Sequence, residues 1–429
     1  MSHFPVLVIG EDPVKLLRPY HEFECTGFDD EYVQEIDETE ERRVEYEEST
    51  SAMLVSPEGE RVYFYDDRFY TKVPTEEERI GAARDPGEKF HEIPEGWERC
   101  EAPTRERMGF TEYVLGDPED DDRHDDRHDD WGHVLRPGQE RTESHKFRFI
   151  ELDENGEVVR IVRRTNPNSH WDGWVLGGRW RCFFKLKPDA KFELDDVGDG
   201  DMYTKSHWLH ADTPGAEAYH NHPVTIENRK EWVAKLTAGR SVDHVRIKDI
   251  DFEAGRDRAE ERARTQFAKW RVLFVKHGKP LPFSHFTEMR DIAVAKLKEQ
   301  GIDQELVSSL SEHNEHMVTR ESQEDERARM GYNAQPTIKA ANGIHLSGFR
   351  SSPMEMFGYD EEAYVAKMRN KAMIPYAVIK DGEWFGKGEM GWFGVSDDKT
   401  TEEEWCAQVH KLYAELPEDT LLTLVDCHV

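Results

Sequence analysis

Cysteine is sparse in this chain. The five residues, Cys25, Cys100, Cys182, Cys406 and Cys427, are odd in number and form no Cys-x-x-Cys pair. That excludes a disulfide scaffold and a zinc ribbon, and reduced thiols in a cytoplasm are the expectation. Long apolar runs are missing too, none approaching the roughly 20 residues that cross a bilayer. The opening MSHFPVLVIGEDPVK carries no basic leader and reads as a strand rather than a signal peptide. Basic residues are outnumbered, 57 against 90 acidic, for a formal charge of −33. A surface so negative repels nucleic acid, anionic lipid and phosphorylated ligands at long range and draws cationic partners or metal ions. Direct nucleic-acid binding and membrane contact are therefore not expected, while a DNA-mimic role stays open. The chain also lacks a P-loop, a GxSxG, an HExxH and a kinase motif set.

Against these absences stand 429 residues, of which 37% are hydrophobic and 11% aromatic, enough to build a core. Phe4 to Ile9 reads as a buried strand stopped at Gly10, and TLLTLVDCHV as a final apolar strand. Apolar runs around turn residues predict hairpins at residues 53–65 and 146–163. In the middle, Phe252, Ala259, Ala263, Phe267, Trp270 and Phe274 recur at helical spacing, with Asp251 to cap the start and Gly278 to end the helix. The expected fold is α+β, with a mixed or antiparallel sheet closed by the N- and C-terminal strands and a helical insertion between them. The expected division is a sheet domain of residues 1–187 with 372–429, a His/Gly/Pro-rich insertion at 188–225, a helical region at 226–335, and a linker with a helix at 336–371. Residues 117–130 hold nine carboxylates and read as an exposed acidic loop.

Five stretches carry groups with chemical potential. The first is PYHEFECTGFDDEYVQ, where His21, Glu24, Cys25, Asp29 and Asp30 gather around a turn at Gly27. Imidazole and thiolate suit zinc or iron and carboxylates suit magnesium, calcium or manganese, so the set matches no single metal. A polar loop whose carboxylates cap nearby backbone is the competing reading. The second is His207, His210, His220 and His222, a His-x-x-His and a His-x-His that suit a borderline divalent ion. The third is HWDGWVLGGRW, where Trp171, Asp172, Trp174, Arg179 and Trp180 suggest an aromatic-walled pocket with Arg179 set for a carboxylate or phosphate. A Trp-rich core edge is the alternative there. The fourth, Gly386-x-Gly388-x-x-Gly391, matches GxGxxG but opens no helix, so it reads as a hairpin loop and not a dinucleotide site. The fifth is the terminal VDCHV, where Asp426 and His428 share one strand face.

Several segments together carry a resemblance. HFPVLVIGEDP, PYHEFECTGFDDEYVQ, NPNSHWDGWVLGGRWRCFFKLK, KDIDFEAGRD, KDGEWFGKGEMGWFG and LLTLVDCHV resemble blocks of an uncharacterised family of hypothetical proteins of tailed phages and prophages. The resemblance brings no activity, cofactor or catalytic residue with it. It implies a phage-type accessory protein working in the host cytoplasm. With the charge, this gives the leading expectation: an acidic interaction protein that acts on a host or defence factor. The alternative is a hydrolase dependent on a divalent metal ion. Its carboxylates and imidazoles would be those of His21, Glu24, Asp29 and Asp30, with Asp426 and His428 added if the first and last strands share a sheet.

Overall fold

The computed structural model describes residues 2–73, 90–116, 133–190, 239–299, 306–311, 314–346, 352–390 and 396–429. The chain divides into two units, Met1–Arg18 with Gly173–Val429 and, between them, Pro19–Asp172. Both are α+β. This corrects the expected boundaries: residues 19–172 separate from the sheet domain to which they were assigned, and the helical middle belongs with the chain ends. The reason is in the strand pairing.

The first unit is organised by β1 (His3–Ile9), β2 (Gly173–Leu176), β3 (His244–Arg246), α1 (Phe252–His277), α2 (Glu361–Asn370), β4 (Ala377–Lys380), β5 (Glu383–Gly386), α3 (Glu402–Glu415) and β6 (Leu421–His428). The sheet runs in the order β2-β6-β1-β4-β5, with β3 also on β6. β1 and β6 are antiparallel, in register from His3 opposite His428 to Ile9 opposite Leu422. β1 and β4 are parallel, so the sheet is mixed. The terminal strands therefore share a sheet as expected, but they occupy its middle rather than its rims. Their sequences explain this. A strand covered on both faces reads as a continuous apolar run, and all eight residues of β6 are buried.

The outer edge of β6 is shared end to end by two strands. β2 pairs with Val425 to His428 and β3 with Leu421 to Thr423. At the junction, Gly177 N–H donates to Leu424 O at 2.9 Å and Leu424 N–H donates to Asp243 O at 2.7 Å. The chain leaves β2 and enters β3 at this point, which places loop residues against the middle of a buried strand.

Helix α3 starts from a capping box between Thr401 and Glu404. It lays Trp405, Val409 and Tyr413 on a core that also holds Leu7, Phe184, Val242, Val378, Leu422 and Leu424. Helix α1 is capped by Asp251, whose carboxylate accepts from Ala254 N–H at 2.9 Å. Ala263, Phe267 and Trp270 form a second core with Tyr332, Ile338, Phe357 and Tyr364. Gly386 and Gly388 end one strand and open the next without starting a helix.

The second unit contains a four-stranded sheet of Gln34–Asp37, Val158–Thr165, Arg148–Leu152 and Val134–Leu135, in that order. A three-stranded sheet of Arg61–Tyr63, Thr50–Val55 and Glu98–Pro103 accompanies it. Both expected hairpins are present as antiparallel pairs. Among the described residues, no helix is long and apolar enough to cross a membrane.

Candidate functional site

In the second unit, the loop after Pro19 gathers its polar groups around a buried histidine. His21 is fully buried, with Nδ1 2.8 Å from Thr26 Oγ1 and Nε2 3.2 Å from Asp30 Oδ1. Its backbone bridges to Trp171, itself buried, and its carbonyl accepts from Asn166 Nδ2 at 2.8 Å. Asp29 turns to the surface and pairs with Arg164 at 2.7 Å. Glu22, Glu24 and Asp172 lie near Cys25. Partial shielding from water, then Glu24 and Asp172, raises Glu22. The Cys25 thiol is pushed up to about 11, first by shielding and then by Glu22 and Asp172. A thiol so raised stays protonated at neutral pH and is a poor nucleophile. His21 therefore serves as a satisfied core residue, and the expected catalytic set of His21, Glu24, Cys25, Asp29 and Asp30 splits into a buried hub, a surface ion pair and a protonated thiol.

Among the described residues, no three His, Cys, Asp or Glu side chains are placed to hold a metal ion. His207, His210, His220 and His222 lie outside the described residues, as does the acidic run at 117–130. Asp426 and His428 belong to the first unit and His21 to the second.

The first unit carries a different arrangement, centred on two buried carboxylates. Asp426 is 2% exposed and Asp243 fully buried. Asp426 Oδ2 accepts from Arg179 N–H at 2.8 Å, and its Oδ1 lies 2.9 Å from His3 Nδ1. The His3 and His428 rings lie beside each other with centroids 5.1 Å apart. Asp243 accepts from Phe183 N–H at 2.8 Å and from Cys182 N–H at 3.1 Å. Each carboxylate thus holds one end of the loop from Gly177 to Phe183. Burial pushes Asp243 up to about 6, against the lowering effect of the Phe183 and Cys182 N–H groups and of Arg181 and Arg258.

Two glycines make this seating possible. Gly177 and Gly178 have φ of +64° and +44°, and a Cβ on either would stand 2.3 Å from Asp243 Oδ2 or 2.2 Å from Asp426 Cβ, respectively. Glycine supplies both the left-handed backbone and the close approach.

The pinned loop forms one wall of a cavity of about 390 Å³. Arg179 and Arg181 come from the loop, Arg258 and Arg262 from α1, and Lys371 from the turn after α2. Trp180, Phe183, Met368 and Met373 supply apolar wall. Among the described residues that line it, none is a carboxylate. Arg258 is held by neutral acceptors: its guanidinium donates to Cys182 O and Phe183 O, each at 2.8 Å. Burial, then Arg262, lowers the Arg258 pKa. Arg181 is exposed, and partial shielding from water lowers its pKa, with Asp243 and then Cys182 and Asp426 opposing. Lys371 is an ion-pair partner of Glu402, which lies outside the lining. Cationic groups destabilised by burial are stabilised by an incoming anion.

Of the expected ligand-binding residues, Arg179 and Trp180 line this cavity, Trp174 lies on β2 opposite Cys427, and Trp171 and Asp172 belong to the second unit. The structure also joins two expectations that the sequence kept apart, since Arg179 and the terminal Asp426 meet in one hydrogen bond. Asp243, Arg258, Arg262 and Lys371 were not anticipated. The signal available for two of them was the pairing of Arg258 and Arg262 four residues apart, beside the small residues Gly255, Ala259 and Ala263 on one helix face.

No protein-family model matches the chain, and no curated protein or solved structure does either.

Proposed function

We propose that the protein is a binding protein whose first unit takes an anionic small molecule into the cavity between the Gly177–Phe183 loop, α1 and the turn after α2. The observation that carries this reading is the lining: five cationic side chains from three segments, with no carboxylate among the described lining residues, in a chain of net charge −33. In so acidic a molecule, a concentration of cations around one concavity is where an anion is stabilised locally although the long-range field opposes it. The calorimetric test uses inorganic pyrophosphate at 0.15 M salt. Saturable binding is expected, weakened by about tenfold in Arg262→Gln, the loss of one charge-assisted contact. Arg262 is exposed, so its replacement leaves the fold intact. Absence of binding at millimolar pyrophosphate would overturn the reading.

The acidic exterior supports a second role, the recruitment of a cationic macromolecule. The resemblance to phage and prophage proteins favours a host or defence factor as that partner. A host-lysate pulldown that recovers no specific partner at moderate salt counts against it.

A further inference from the structure

The cavity's dimensions and lining narrow the chemistry of its occupant. Three features point the same way. Charge comes first. One planar guanidinium suffices for a monocarboxylate, whereas here Arg179, Arg181, Arg258, Arg262 and Lys371 converge on one space. A set of that size matches a ligand with several negative charges. Volume comes second. About 390 Å³ is far more than an inorganic phosphate fills, and it lies in the range of pockets that hold whole small molecules, roughly 300–1,000 Å³. The third feature is the apolar wall. Trp180 and Phe183 from the loop face the same space as Met368 and Met373, and aromatic and thioether surfaces suit a flat π-ring.

A ligand with a polyanionic end and a flat ring is a nucleoside polyphosphate. Resting on the anion-binding reading, we propose that the cavity binds a free nucleoside di- or triphosphate, with its phosphates among the arginines and its base against Trp180. A polynucleotide would carry the same chemistry, but its charge would run on over a surface of the same sign. A mononucleotide ends its charge within the cavity and meets less of that repulsion.

The lining adds a condition. Nucleotide sites that hold a magnesium ion supply carboxylates or hydroxyls to it, and no carboxylate is found among the described lining residues. The arginines here take over charge neutralisation, so binding is strongest for the metal-free nucleotide.

Calorimetry of the full chain tests this with ATP, GTP, ADP, adenosine, pyrophosphate and triphosphate, each in EDTA and in excess Mg²⁺. Nucleoside di- and triphosphates are expected to bind about tenfold more tightly than inorganic polyphosphate, the increment of one base–aromatic stack. Adenosine is expected not to bind measurably, and Mg²⁺ is expected to weaken the nucleotides. Trp180→Ala removes the preference for nucleotide over inorganic polyphosphate, and Trp180→Phe keeps most of it, which separates lost stacking from a disturbed loop. Should pyrophosphate bind as tightly as ATP, the nucleotide assignment falls while the anion site stands. Should nothing in the panel bind, both fall. A requirement for Mg²⁺ also overturns the assignment.

Discussion

In the loop that follows Pro19, acids face one another and a thiol; in the loop that follows Leu176, they face backbone N–H groups. The first arrangement leaves charge in conflict. Glu24 and Asp172 raise Glu22, and all three raise the Cys25 thiol, beyond what shielding from water does to each. The second arrangement leaves the side chains of the loop to other uses. Asp426 and Asp243 take the N–H groups of Arg179, Cys182 and Phe183, and the Arg179 and Arg181 side chains are then part of a cavity wall. The two regions show that acidic residues near a turn do not by themselves make an acidic site. A buried carboxylate bound to main-chain donors can be the foundation of a cationic one.

The difference between the two loops rests most heavily on Gly178. Gly178→Ala puts a Cβ where Asp426 already stands, in a backbone with φ of +44°. The expected loss is about 3 kcal/mol or more from overpacking and left-handed strain combined, with loss of pyrophosphate binding. Urea unfolding and calorimetry read the two effects. An alanine chain as stable as the parent would mean that the loop is not seated on Asp426.

Asp243 makes the seating of the second loop depend on pH. Its folded-state pKa, about 6, lies above the usual carboxylate value. The folded protein therefore holds this proton more tightly than the unfolded chain does. Its contribution to stability is present below the unfolded value near 4 and is lost as pH rises through about 6, on the order of 2–3 kcal/mol. Asp243→Asn removes that part of the slope, and it lowers stability at pH 7 because Cys182 and Phe183 N–H donate to different oxygens and the amide nitrogen that replaces one of them cannot accept. Chemical denaturation at pH 4.5 and 7 measures both. An unchanged pH slope in the variant would place the titration elsewhere.

The smallest effect is kinetic and lies in the second unit. With its thiol pushed up to about 11, Cys25 should alkylate with iodoacetamide at pH 8 on the order of a hundredfold more slowly than free cysteine, in line with its thiolate fraction. Glu22→Gln should speed it severalfold. Peptide mass spectrometry of a labelling time course checks both, and a reaction as fast as that of free cysteine would show that the neighbouring carboxylates do not act on it.

Much of the framework was legible because it is periodic or apolar. The two terminal strands, the hairpins at 53–65 and 146–163 and helix α1 all follow from local pattern. The GGRW segment stood out because paired glycines let the backbone approach closely, with arginine and tryptophan beside them. What the pattern could not carry was distance. Asp243 sits in SVDHVR, an ordinary strand context, and only the meeting of β2 and β3 on one edge of β6 brings it beneath residues 177–183. Lys371 reaches the cavity from the far end of the helical region. Arg258 and Arg262 look like a solvated face, since arginine four residues apart is common on exposed helices. His21 differs for the opposite reason. Its neighbours looked chemical, and nothing local announced that the ring is buried and bonded on both nitrogens. The unit boundary at Arg18 was hidden for the same reason as Asp243, because it follows from pairing across the whole chain.

The pairing of His3 with His428 also bears on the order in which the molecule is made. The centre of the first unit's sheet joins two strands more than four hundred residues apart, and contacts of such long sequence separation form late and slowly. A ribosome releases the second unit, a continuous stretch of residues 19–172, long before it releases β6. That unit can fold during synthesis, while β1 waits for its partner until β6 arrives. The loop seated on Asp426 waits with it, so the cavity that this loop walls is assembled only after β6 has been made.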